Sequence, residues 1–161
     1  MSDIWESEIG GLLAELAEVQ TALLETLGEK RKLIAARDQT ALAAMAGREQ
    51  ELLKRLQACQ ERRQALLGRA NVEGLPADSI QSLSAALPAD SRARMQASIE
   101  ESKNRTKLLQ HQSLTNWVLV QRSLLHLSQL IEIIANGGQM KPTYGKGSER
   151  VAGGALVDRA A

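Results

Sequence analysis

Residues 4–35 read IWESEIGGLLAELAEVQTALLETLGEKRKLIA. In this stretch Trp5, Ile9, Leu12, Leu16, Val19 and Leu23 succeed one another at intervals of four and three, the spacing of one helix face and of a coiled-coil seam. Leu27 and Ile34 continue the seam less regularly, so a helix is predicted over about residues 3–35. A second pattern, Leu42, Met45, Glu49, Leu52, Leu56, Cys59, Arg63 and Leu66, comes after Asp38, whose carboxylate suits the capping of a helix start. It predicts a helix over about 39–68. Glu49 and Arg63 interrupt this seam and read as edge positions whose stems pack while their charges reach water.

Two helices joined by so short a turn fold back as an antiparallel hairpin. With the turn centred near Arg37, facing residue numbers sum to about 75, pairing Ile9 with Leu66, Leu16 with Cys59, Val19 with Leu56 and Leu23 with Leu52. The charges agree. Met1 to Glu29 carries seven acidic residues and no Lys or Arg, although the whole chain has a net charge of only +1. The hairpin lays this acidic face beside Arg55, Arg62, Arg63 and Arg69. Exposed pairs contribute well under ~1 kcal/mol each, so they select a register more than they stabilise it.

Residues 68–90 form a connection with a near-repeat, Leu75-Pro-Ala-Asp-Ser79 and Leu87-Pro-Ala-Asp-Ser91. An Asp or Ser after Pro caps the segment next to it, which predicts a short helix over 79–86 and a long third helix over 91–135. The inward candidates of the long helix begin as a weak seam, Met95, Ile99, Ser102, Thr106, Leu109, Ser113 and Asn116. From Trp117 to Ile134, 11 of 18 residues are apolar. There Trp117, Val118, Leu119, Leu125, Leu130 and Ile133 fall off the stripe through Val120, Leu124, Leu127, Ile131 and Ile134. A helix apolar on several faces must be covered from several sides, by the hairpin, by a second copy or by another protein.

The pattern stops at Asn136-Gly137-Gly138. Gln139 to Ala161 is polar, with four glycines, one proline and the only tyrosine, Tyr144. Glycines oppose an isolated helix, so a flexible tail is expected over 137–161 beside a helical bundle over 1–136. The fold class read from these patterns is all-α: an elongated antiparallel bundle built on a coiled-coil hairpin, with a long third helix and a disordered C-terminal tail. The 161 residues fit one domain, and 43% apolar content without a single Phe leaves Leu, Ile, Val, Ala and Met to fill its core.

Catalysis requires a constellation that the sequence does not display. Leu108 and Ser123 stand three residues before His111 and His126, so the Glu-x-x-His pattern of metal-binding bundles is absent and no metal or other cofactor is expected. Cys59, the only cysteine, sits in a seam where a thiol acts as a small apolar group. The glycine pairs do not lie between a strand and a helix, so no phosphate-binding loop is indicated. Basic residues are interleaved with acids, which argues against nucleic acid. The acidic start, MSDIWESE, is unlike a secretion signal, and the protein is expected in the cytosol. Gln121, Arg122, Ser123, His126, Ser128, Gln129 and Glu132 break the apolar stretch, so no stable membrane insertion is expected.

The order of these features carries a resemblance. After an acidic leucine-rich first helix, Arg-Asp-Gln-Thr-Ala-Leu (37–42) and Arg-Glu-Gln-Glu-Leu-Leu-Lys-Arg-Leu (48–56) open and continue the second. After the long third helix comes Thr-Tyr-Gly-Lys-Gly (143–147). This order resembles the FlgN family of flagellar export chaperones over nearly the whole chain. The resemblance implies a non-enzymatic cytosolic chaperone that binds hook-filament junction proteins and delivers them to a component of the flagellar type III export gate. It implies substrate contact at the end of the third helix, at Trp117, Leu125, Leu130 and Ile133, and in the tail, at Met140, Tyr144, Val151, Leu156 and Val157. Tyr144 is also a candidate for docking at the gate. A homodimer is left open. Two other readings of the residues stand beside this one: a structural coiled-coil oligomerisation protein, and a phosphotransfer bundle using His111, although the residues after it lack that family's neighbouring lysine and glycine.

Overall fold

The computed structural model describes residues 2–136, and the described residues form four helices and no strand. Helix α1 spans Ser2–Ala36, α2 Gln39–Val72, α3 Ile80–Ala85 and α4 Ala89–Ala135. The fold is all-α. The expectation of a disordered tail falls on residues 137–161, outside the described ones. The chain divides after Leu119 into two compact units.

In the first unit α1 and α2 form the antiparallel hairpin. Asp38 caps α2, its Oδ1 accepting from the Ala41 amide at 3.0 Å, and Arg37 takes a left-handed φ of 56° to turn the chain. Ile9, Leu66 and Cys59 lie in one buried cluster with Leu16 against it, and Val19, Leu23 and Leu52 form another with Leu56 against it. These are the pairs that the two seams imply. Ion pairs obey the same register: Lys30 with Glu49 at 3.0 Å, Arg55 with Glu15 at 2.8 Å, and Arg69 with Glu8. Arg69 also stacks over the Trp5 ring, 4.5 Å from its centroid, while the indole donates to Glu73 at 3.1 Å. The hairpin is thereby latched at its open end.

Helix α2 continues through Gly68, where the sequence suggests a stop. A helical glycine costs about 1 kcal/mol relative to Ala, and burial of Leu66 and Ala70 on either side outweighs it. The real stop is Gly74, with φ of 73°, and the Leu75 amide reaching back to the Ala70 carbonyl at 2.9 Å. Ser79 caps α3 in a reciprocal box with Ser82. The second copy of the capping phrase behaves differently. Helix α4 starts at Ala89, and Ser91, a cap by its sequence context, is instead buried inside the first turn, where its hydroxyl donates to Glu6 at 2.5 Å.

Within the first unit α4 runs parallel to α1. Glu6 accepts from Ser91 and Arg94, Gln20 bonds Ser102, Thr106 and Arg105, and the Leu27 carbonyl accepts from Asn116, pairs separated by 82 to 89 positions along the chain. Helix α1 therefore has two working faces, its leucine seam against α2 and a mixed face against α4. Gly10 permits the close approach of the second, since a Cβ there would meet the end of Met95 at 3.3 Å. Met95, Ile99, Ser102 and Asn116 are buried in agreement with the weak seam and Leu109 is half-buried, but Thr106 and Ser113 are exposed.

Described by itself, the second unit comprises the helical residues from Val120 to Ala135, which present their apolar side chains to solvent.

Candidate functional site

Apolar side chains on the second unit keep a helical spacing. Val120, Leu124, Leu127, Ile131 and Ile134 share one stripe, and their exposures run from 36% at Val120 to 78% at Ile134. Periodicity points this stripe inward; the structure leaves it uncovered. Leu125 is 62% exposed and Leu130 40%, while Ile133 is half-buried. Beyond the stripe, apolar side chains therefore stand open on further faces of this helical segment, between polar ones. Large contiguous apolar surfaces on a protein mark interaction sites more often than accidents of packing. Helix α4 contains a window, none of it buried, that is long and apolar enough by length and composition to cross a membrane.

In the first unit Trp117 is 59% exposed on α4, and Leu114 60%. Met140, Tyr144, Val151, Leu156 and Val157 lie outside the described residues.

A second feature of the first unit has no counterpart in the sequence expectations. Helices α2 and α4 stand on either side of α1 and leave an open groove of about 690 Å³. Leu12 and Leu16 form its floor, Leu53 and Leu56 one wall, and Ile99 and Leu109 the other. Arg63 and Lys103 line it, together with glutamines, and no acidic residue does. The signal in the sequence is Leu53, a leucine one position off the α2 seam, which is 47% exposed.

The residues considered for chemistry are dispersed. His111 and His126 are both exposed, 15 positions apart on α4. Cys59 is buried against the groove, and burial, with Glu15 adding to it, pushes its thiol above the usual range, away from the reactive thiolate. Among the described residues no three His, Cys, Asp or Glu side chains gather as a metal would require. What the surface offers is apolar helical area.

Compared with known proteins, residues 1–151 match the model of the family described as FlgN protein. No curated protein and no solved structure matches the chain.

Proposed function

The chain belongs to the FlgN family of flagellar export chaperones, and from that premise we propose that it binds hook-filament junction subunits in the cytosol, holds them unassembled and delivers them to the type III export gate. The observation that carries this reading is the uncovered apolar stripe Leu124, Leu127, Ile131 and Ile134. A subunit whose helical ends assemble with its neighbours must be kept from doing so, and covering those ends with apolar helix removes the surface that drives assembly. Each large aliphatic side chain buried in such a contact contributes about 1.5–3 kcal/mol.

The role demands release as well as capture. Recognition is assigned to Trp117, Leu125, Leu130 and Ile133 with the tail residues Met140, Tyr144, Val151, Leu156 and Val157, and gate docking to Tyr144. A segment that orders as it binds spends several kcal/mol on doing so, which limits affinity and allows transfer at the gate. The action is binding, with no catalytic step and no cofactor.

The same stripe satisfies a length test for a membrane span, but the protein-binding reading is preferred on charge and polarity. Arg122 and Glu132 would each cost about 2.5–3.5 kcal/mol at a bilayer centre, and Gln121, His126 and Gln129 add to that cost. A helix that meets another protein can leave these groups at the rim in water. Co-purification of the full chain with a hook-filament junction protein tests the proposal: a soluble stoichiometric complex is expected, and partition of the chain into lipid vesicles without such a complex would overturn it.

A further inference from the structure

The groove of the first unit shares no residue with the surfaces assigned to the carried subunit, and its shape and charge specify a second ligand. Its walls run from Leu53 to Arg63 on α2 and from Ile99 to Lys103 and beyond on α4. At ~1.5 Å per residue the α2 wall is about 15 Å long, the length of three helical turns. The floor and walls carry leucine and isoleucine among glutamine, serine and threonine, and the two charged residues of the lining are basic. Lys103 donates to Gln81 at 2.8 Å and pairs with Glu100 at 3.3 Å but remains half exposed, and Arg63 has no acidic partner among the described residues.

We infer that this groove docks an amphipathic helix of about three turns from another protein, with apolar residues at i, i+3 or i+4, and i+7 and acidic residues on its flanks. An apolar helix face laid in a hydrophobic groove is an established mode of peptide recognition, with anchors at that spacing. The acid-free lining decides the flanks: Arg63 and Lys103 favour carboxylates and repel lysines. A second copy of this chain is a poorer occupant by the same criterion. Its own uncovered apolar stretch, 120–134, carries Arg122 and one acid, Glu132. Small molecules are also disfavoured, because the groove is open to solvent.

The test uses two synthetic peptides of about 15 residues with the same leucine stripe, one flanked by glutamates and one by lysines, titrated by fluorescence polarisation against the full chain. Binding of the glutamate-flanked peptide at least tenfold tighter is expected. Leu53→Arg places a charge in the wall at an exposed position, so the fold should persist by circular dichroism while binding falls tenfold or more. Combined Arg63→Glu and Lys103→Glu should invert the preference toward the lysine-flanked peptide. Equal binding of both peptides, or undiminished binding to Leu53→Arg, overturns the inference. Self-association of the chain that Leu53→Arg abolishes, seen by sedimentation, would assign the groove to a second copy and overturn it as well. No junction protein enters this measurement, so its failure leaves the chaperone reading standing and failure of that reading leaves the groove testable.

Discussion

The side-chain amide of Gln20 on α1 donates to the hydroxyl of Thr106 on α4 at 3.0 Å, while its carbonyl oxygen accepts from Arg105 at 3.0 Å. Gln20 is 3% exposed, so a buried amide here meets partly exposed partners, between two helices that otherwise meet through serines and a few apolar groups. A fully satisfied buried amide fixes one axial register, because a shift of α4 by a single residue would strand its donors.

Gln20→Leu should therefore destabilise the protein by about 1–3 kcal/mol, since Arg105 keeps only Glu101, at 3.7 Å, and the apolar replacement cannot answer Thr106. Thr106→Val should cost less, because the Ser102 carbonyl that also accepts from Thr106 keeps its helical partner. Urea unfolding of the three proteins measures the order; equal stability of wild type and Gln20→Leu would show that the contact contributes nothing.

Ile9 is fully buried in the hairpin core, and Ile9→Ala should cost about 2–5 kcal/mol. Leu16 and Leu56 pack only partly buried against the two clusters, so their alanine variants should lie below that range. Leu23 and Leu52 share a cluster across the hairpin, and a double-mutant cycle on them should give a coupling that Leu23 paired with Leu66 lacks. Thermal or urea melts of the single and double variants supply all these values, and coupling of equal size for both pairs would refute the register.

Acid should loosen the contacts of α1 with α4 and with α2. The Ser91 hydroxyl, then Arg94, hold the Glu6 carboxyl below its ordinary value near 4.5, and the bond from Arg69 does the same for Glu8. A carboxyl lowered in the folded state contributes its stability above its unfolded value and loses it as pH falls through the lower folded one. The stability gap between wild type and Glu6→Gln should thus be present at pH 7 and close below pH 4.5. A gap that widens on acidification, read from urea midpoints across that range, would reverse the assignment.

Binding of a junction subunit should fall tenfold or more in the double variant Leu127→Asp with Ile131→Asp, two positions 52% and 58% exposed where charge leaves the fold unharmed. Truncation after Gly138 should weaken it comparably, and Tyr144→Ala should weaken binding by about 10 to 150 fold or spare binding and block delivery. Calorimetric titration settles the first two, and an export assay the last.

Legibility in the sequence depended on how local each signal is. The register of the α1–α2 hairpin could be read because its partners lie in two regular seams joined by a turn, and residues such as Asp38 mark the turn by their own chemistry, whereas the end of α2 beyond Gly68 could not. The face of α1 against α4 was hidden. Leu13 and Gln20 stand seven apart, yet the glutamine that does the positioning is polar and looks like a surface residue until Thr106 and Arg105 are seen beside it. Ser91 misleads for a similar reason: a serine after a proline has two uses, and only the proximity of Glu6, 85 positions away, chooses between them. The groove was illegible because it is a space, defined by which helices stop short of each other. Of the candidate site, helical spacing correctly marked the apolar richness of Trp117 to Ile134, whereas its uncovered state depends on what the rest of the chain does not bury.

The two tryptophans sit in opposite surroundings, Trp5 5% exposed beneath Arg69 and Trp117 59% exposed on α4. They make the native chain its own pair of optical reporters. Emission from Trp5 should lie to the blue and resist acrylamide until the hairpin opens, whereas Trp117 should emit to the red and be quenched freely until a ligand shields it. With Trp5 replaced by Phe, the remaining signal tracks occupancy of that part of α4 alone; with Trp117 replaced, it tracks unfolding alone. Binding and folding can then be timed in the same cuvette without attaching a dye to either molecule.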